Sequence, residues 1–347
     1  MTSHHPSHDS PFMKACRREP VPYTPIWLMR QAGRYMKEYR ELREKTPFLK
    51  LCKSPQLAAE VTVYAAERIK ADAAIIFSDL LLTVEPMGLK LSYGKSEGPT
   101  INPPVREAAA IDALKEVEGD ELGYVYEAIR RTRAELADAT PLIGFCGAPF
   151  TVASYMVEGK ASRNYLHTKS LMLGDPGAWN ALMERIVRAQ TVLLNRQILA
   201  GAQAVQVFDS WAGCLSPEEY RRHVQPHTAA LIGGVTPGVP VIHFSTGTAG
   251  YLPDVRNAGG YVIGVDWRVD LDRAWEQVGE DVGIMGNLDP TLLFGTPERL
   301  RTEAERILKQ AAGRHGHVFN LGHGVLPETP VDNVIRLVEM VHEISAR

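Results

Sequence analysis

AVQVFDSWAGCLSPEEYRRHVQPHTAALIGGVTPGVPVIHFST, residues 204–246, is the stretch on which the fold class turns. It opens on a short apolar run ending in Asp209 and Ser210, passes through a helical pattern over 216–235, and returns to a second apolar run, PVIHFST, at 240–246. Apolarity that is nearly continuous, not alternating, predicts strands covered on both faces. A strand, helix, strand order predicts parallel neighbours joined by a crossover.

The same unit recurs on both sides. Upstream lie PIWLMR (25–30), AAIIFSD (73–79) and LIGFCGAP (142–149); downstream lie VIGVDW (262–267), GIMGNLD (283–289) and HVFNLGHG (317–324). Helical patterns separate most of them. SPQLAAEVTVYAAERIKA follows a Ser54–Pro55 pair that suits an N-cap and first helical position, and further patterns occupy 175–202, 252–259, 269–278, 296–313 and 329–346. Eight such runs predict an α/β fold, a single closed (β/α)8 TIM barrel, over an open doubly wound sheet. Extended active-site loops are expected after strands 1, 2 and 3. The excursion 80–122 is rich in Pro and Gly, with hairpin-like pieces at VEPMGLKLSYG, and 153–172 plays the same part after the third run. Residues 1–11 read as a flexible polar leader and 12–347 as one catalytic domain.

Bulk properties narrow the function classes. The chain has 347 residues, 45% hydrophobic and 23% charged, with a formal net charge of -3. That is the balance of a soluble globular protein and offers no broad basic field for a nucleic-acid backbone. Cys16, Cys52, Cys146 and Cys214 are scattered without a CxxC pair, which suits reduced thiols and a cytoplasmic setting. The leader MTSHHPSHDS has no apolar run of a signal peptide, and no stretch approaches the roughly 18 apolar residues of a membrane span. No GxGxxG or GxxxxGK[ST] pattern indicates a dinucleotide or P-loop site, and no HExxH indicates a metal.

In a barrel, the polar residues at the carboxyl ends of the runs converge on one opening. They are Arg30, Asp79, Asp209 with Ser210, Ser245 with Thr246, Asp266, Asn287 with Asp289, and Asn320 with His323. MRQAGRY (29–35) sets Arg30, Gln31 and Arg34 within five residues, and planar guanidinium forks suit carboxylate or phosphate. A surface salt-bridge cluster is the competing reading, while Arg40 and Arg43 read as solvated. Asp79 either caps the following backbone or stays ionised to hold a substrate N–H or developing positive charge. Ser210 lacks a GxSxG elbow and suits a hydrogen-bond donor better than a nucleophile. His243, inside a run, reads as a core imidazole; His323, between glycines, reads as ligand-facing; His315 and His317 read as structural at the opposite rim.

With these residues in hand, the chain resembles the uroporphyrinogen decarboxylase family. The resemblance rests on PIWLMRQAGRYMKEYR (25–40), IIFSDLL (75–81), FCGAPFTVASYMVEG (145–159), VQVFDSWAG (205–213) and FNLGHGVLPETP (319–330), in order along nearly the whole chain. It implies a barrel enzyme of haem biosynthesis, a homodimer without metal or organic cofactor. That enzyme would remove the four acetate carboxyl groups of uroporphyrinogen III to give coproporphyrinogen III and four CO2. It further implies catalytic roles for Asp79 and Arg30 and substrate contacts from Arg30, Gln31, Arg34, Asp79, Tyr155, Phe208, Ser210 and His323. Competing readings are a corrinoid-dependent barrel methyltransferase, which would be expected to show a His/Cys zinc set, and a silent tetrapyrrole carrier.

Overall fold

The structure is a computed structural model that describes residues 6–94 and 98–347. Nine strands form in it: β1 (Ala74–Ile75), β2 (Lys90–Tyr93), β3 (Pro99–Asn102), β4 (Leu142–Gly147), β5 (Ala204–Asp209), β6 (Val241–Ser245), β7 (Val262–Gly264), β8 (Gly283–Leu288) and β9 (His317–Leu321). Seven make one parallel sheet in the order β1-β4-β5-β6-β7-β8-β9, while β2 and β3 pair antiparallel as a hairpin inside the 80–122 excursion. Registers such as Phe208 beside Phe244 and Asn287 beside Asn320 keep the strand ends level, so their carboxyl termini open on one side.

The predicted closed eight-stranded barrel does not form. The sheet curls but stays open, its edge strands β1 and β9 standing 12 Å apart. The first predicted run, 25–30, lies in that gap, yet makes only a single parallel bridge, Ile26 with Phe319. Side chains replace the ladder there. Pro25 has no N–H to donate, and although Phe319 N donates to Pro25 O and Asp72 N to Ile26 O, both at 2.8 Å, three amides of the run find side chains instead. Ile26 N donates to the Asp72 carboxylate, Leu28 N to Gln31 Oε1, and Met29 N to Asn320 Oδ1. Backbone groups buried at a sheet edge must be paired; here carboxylate and amide groups pair them, and no regular strand results.

Helices cover the outer face of the sheet. Pro55–Ile69, Pro176–Ala200, Leu252–Asn257, Leu271–Val278, Pro297–Ala311 and Val331–Ser345 lie where periodicity places them. Pro55 opens its helix as expected, although the Ser54 side chain makes no cap bond. The single helix expected over 216–235 is instead two, Pro217–His223 and Gln225–Gly233. The first starts with a complete Ser216–Glu219 capping box. The break falls at Val224 because Pro226 lacks the amide that would bond back into the preceding turn.

Alternation along the strands assigns the two faces. Phe145, Phe208 and Phe244 point inward and form an edge-to-face row across β4, β5 and β6, with centroids 5.5 and 5.9 Å apart. Gly144 points outward, where an added Cβ would lie 2.4 Å from Gln197 Oε1. The glycine lets the Gln197 amide bond both Phe145 N and Phe145 O at 2.8 Å and clamp the long helix Pro176–Ala200 to the sheet. Of the leader expected over 1–11, residues 1–5 lie outside the described residues, while Pro6–Asp9 forms a short 3-10 helix and Phe12, just beyond, is fully buried. Among the described residues no helix is long and apolar enough to cross a membrane.

Candidate active site

The polar strand ends sort into two groups. Most fasten loops. Ser245 Oγ meets Thr248 Oγ1 at 2.6 Å, Thr246 Oγ1 donates to Ser210 O, and Asn287 Nδ2 donates to the carbonyls of Asp266 and Val269. Asp289 receives the Thr291 amide, and Asn320 holds Met29 N and Leu321 N. Asp209 faces the helix layer, fully buried, with Thr151 donating to Oδ1 at 3.0 Å and Oδ2 without a partner. Burial without a cation pushes its pKa up to about 7.

What remains surrounds the opening. Asp79 follows β1 and accepts the Leu81 amide at 2.9 Å on Oδ1 and the Tyr93 hydroxyl at 2.7 Å on Oδ2. Desolvation raises its pKa, while Tyr93, the Leu81 amide and the Arg30 charge pull against that rise. The capping reading of Asp79 is seen directly, Oδ1 taking the Leu81 amide, and the group also stands in the field of the Arg30 guanidinium.

Arg30 takes a left-handed backbone conformation, φ 61°, which is uncommon for a residue with a Cβ. The loop that imposes it is tightly tied. Gln31 is fully buried, its Nε2 donating to Ala73 O and its Oε1 accepting Leu28 N. The Tyr35 hydroxyl donates to Gln31 O at 2.7 Å, and Arg40 donates to the carbonyls of Arg34 and Tyr35. Arg40 is exposed, as its sequence reads, and also fastens the loop, while Arg43 is half-buried and lies over the Phe48 ring. The Arg30 stem crosses Gly324, where a Cβ would sit 2.4 Å from Arg30 Cδ. Arg30 and Arg34 both remain accessible at the mouth. Enclosure by protein, then the Arg34 charge, lowers the pKa of Arg30.

His323 adjoins the Gly324 that the Arg30 stem crosses. Its Nδ1 accepts the Gly324 amide at 2.8 Å, so the neutral ring carries its proton on Nε2 and offers a donor. Burial, followed by the charges of Arg30 and Arg268, lowers its pKa to about 4. Tyr155, on the helix Pro149–Glu158 after β4, packs against Trp211 with centroids 5.8 Å apart, and burial pushes its hydroxyl up to about 12. Phe208 and its aromatic row floor the opening, and Ser210 follows at the end of β5.

Sequence reasoning missed two groups. Tyr93 lies on the hairpin, far from any strand end, and carried no motif. Arg268 follows the VIGVDW run; Asp266 accepts its backbone amide at 3.0 Å and pairs with its guanidinium, which lies 4.2 Å over the Trp267 ring. A run of strand, acid and aromatic ending in Arg was the available signal. His243 is fully buried on the outer side of β6, near Val255 and Gly259, and His317 is fully buried at the start of β9. Among the described residues no three His, Cys, Asp or Glu side chains are grouped so as to hold a metal ion.

Fold and site together define an α/β protein with a candidate site at the carboxyl ends of its parallel strands, where the Arg30 guanidinium acts on the Asp79 carboxylate and, with Arg268, on His323, beside the Phe145, Phe208 and Phe244 row. The chain belongs to the uroporphyrinogen decarboxylase family, whose model matches residues 7–344. It is 54% identical to the uroporphyrinogen decarboxylase of Sorangium cellulosum, over 97% of each chain, and 52% identical to that of Koribacter versatilis, over 98% of this chain and 97% of the relative. Among solved structures, a methyltransferase from Methanosarcina mazei shares the fold with a TM-score of 0.80 at 21% identity, covering 96% of this chain and 97% of the other. A putative vitamin-B12 independent methionine synthase from Listeria monocytogenes follows at 0.61 and 13%, covering 94% and 99%.

Proposed function

We propose that this protein is the cofactor-independent carboxy-lyase that converts uroporphyrinogen III to coproporphyrinogen III. The observation that carries the reading is the family match over residues 7–344, which includes every site residue named above. Each cycle replaces one acetate carboxylate by hydrogen: R–CH2–COO⁻ plus H⁺ gives R–CH3 plus CO2, four times per macrocycle. Losing CO2 leaves an electron pair that needs a sink. A pyrrole protonated at ring carbon is that sink; its iminium nitrogen receives the pair, and protonation of the resulting exocyclic methylene, with return of the ring proton, restores the pyrrole.

The protein supplies orientation, field and protons. Asp79 accepts hydrogen bonds from the pyrrole N–H groups and stabilises the cationic ring. Arg30, Arg34 and Arg268 bind the acetate and propionate carboxylates. Arg30 also serves as proton donor to the reacting ring: a free guanidinium, with pKa above ~12, is a poor acid, and its enclosure beside Arg34 shifts it in the useful direction. Neutral His323, donating from Nε2, and the hydroxyls of Tyr155 and Ser210 orient substrate side chains. Gln31 acts through the loop it pins. Phe208 packs against the macrocycle and excludes water.

Residues 12–347 work as one catalytic unit in the cytoplasm, with neither nucleic acid nor membrane as partner. The protein acts as a homodimer, a reading supported by family membership and by Leu166 and Leu173, seven apart on one helix and 65% and 58% exposed. The test of function is anaerobic incubation of chelator-treated protein with uroporphyrinogen III. Four CO2 and one coproporphyrinogen III per substrate are expected. Folded protein that binds the macrocycle but releases no CO2 would make it a carrier.

A further inference from the structure

The carboxylate at the centre of the site does not stand alone. Tyr93 reaches it from the antiparallel hairpin β2–β3, an insertion separate from the parallel sheet, and donates to Asp79 Oδ2 at 2.7 Å. The tyrosine ring is held in turn. It packs edge-on against Phe48 with centroids 4.7 Å apart, and Phe48 packs on Phe77, two residues before Asp79. Oδ1 is taken by the Leu81 amide. Each oxygen of Asp79 therefore has one protein donor, each with a lone pair still free for a ligand N–H.

We infer that Tyr93 is a positioning residue for decarboxylation, fixing the rotation of the Asp79 carboxylate and holding it ionised so that its remaining lone pairs face the pyrrole N–H groups. The inference rests on the proposed decarboxylase reading and deepens it. A carboxylate in a low-dielectric recess tends to take up a proton, and a protonated Asp79 presents an O–H where an acceptor is needed. A hydroxyl donor opposes that by favouring the charged form, as does Arg30. The other groups facing Asp79 are Glu85, whose charge works the opposite way, and the protonated Cys52, Tyr124 and Tyr155, whose thiol and hydroxyl pKa values all lie above the ordinary. The tyrosine itself stays protonated, because burial and Asp79 both raise its pKa.

The test is the pH profile of kcat/KM for the wild type and Tyr93→Phe, which keeps the ring against Phe48 and removes only the hydroxyl. Loss of one charge-assisted bond raises the acid limb of the profile by about one pH unit, a loss of about tenfold in activity below the limb, with the alkaline plateau within about threefold. A limb that stays in place or moves to lower pH overturns the inference. Thermal unfolding measured alongside separates a folding defect, and for a variant that folds poorly the same limb is read with Tyr93→His, where a neutral ring N–H restores a donor and is expected to recover the profile at least in part. Wild-type protein that releases no CO2 refutes the decarboxylase reading; active wild type with an unshifted variant refutes the role of Tyr93 alone.

Discussion

Asp79 and Asp209 each close an apolar run in the sequence, and nothing local distinguishes them. Asp79 stands among Tyr93, Arg30 and the Leu81 amide at the opening; Asp209 turns to the helix layer and meets only Thr151. Their substitutions should part accordingly. Asp79→Asn is expected to keep the fold and lower kcat by about 10²-fold or more, since it removes an acceptor aimed at developing charge; unchanged steady-state kinetics would overturn that role. Arg34→Ala is expected to act mainly on substrate capture, raising KM about tenfold for one lost ionic contact while kcat holds. Asp209→Asn should leave kinetics nearly intact and change stability. The folded pKa of Asp209, about 7 against an ordinary 3.8, means the native state holds a proton that the unfolded chain releases, so stability is lost as pH rises across that window. The amide removes this penalty, and thermal unfolding should show a gain on the order of 4 kcal/mol at pH 8 and little at pH 4. His243 and His317, both lowered to about 4, act with the opposite sign and cost stability as pH falls from 6.5 toward 4.

Elements rather than single residues explain how Arg30 is aimed. The loop after the irregular first run is tied by the buried Gln31 amide, by Tyr35 and by Arg40, and it closes against the segment after β9 through Val325 N to Met29 O at 2.9 Å. The sequence marks Gln31 beside two arginines as a ligand contact, but only the packed loop shows both ends of its amide joined to backbone. Gly324 is the other half of the aim. Gly324→Ala places a methyl where the Arg30 stem lies, so the side chain must leave its course. The expected result is a fall in kcat/KM of about tenfold with Tm reduced by a few degrees at most, because the displaced group is a flexible side chain at the surface of the recess. A variant with wild-type kcat/KM would show that Arg30 needs no such channel. Helix ends were largely legible because Pro, Ser, Thr and Asp mark them through local chemistry; the break at Val224 was also written locally, in Pro226, beneath an apolar periodicity that ran through it.

For the whole molecule, assembly is the open quantity with a simple measurement. Sedimentation at micromolar concentration is expected to give twice the chain mass, and replacing Leu166 and Leu173 together by Glu should shift it toward the monomer with little loss of Tm; a monomeric wild type would refute the dimer. The sequence by itself determined the order of elements, the parallel sheet and the family, since apolar runs, helix caps and RQAGRY with NLGHG are local patterns of fixed spacing. It also placed Asp79, Ser210 and His323 beyond the carboxyl ends of strands, whereas Arg30 follows a run that forms no regular strand. Closure of the sheet was decided elsewhere. Whether residues 25–28 form a ladder depends on which donors and acceptors stand across the gap, and Asp72, Gln31 and Asn320 come from three separate parts of the chain. The same holds for Tyr93 on Asp79 and Arg268 beside His323: hydrogen bonds and electric fields act through space over a few ångströms, and only the tertiary structure brings such distant positions that close.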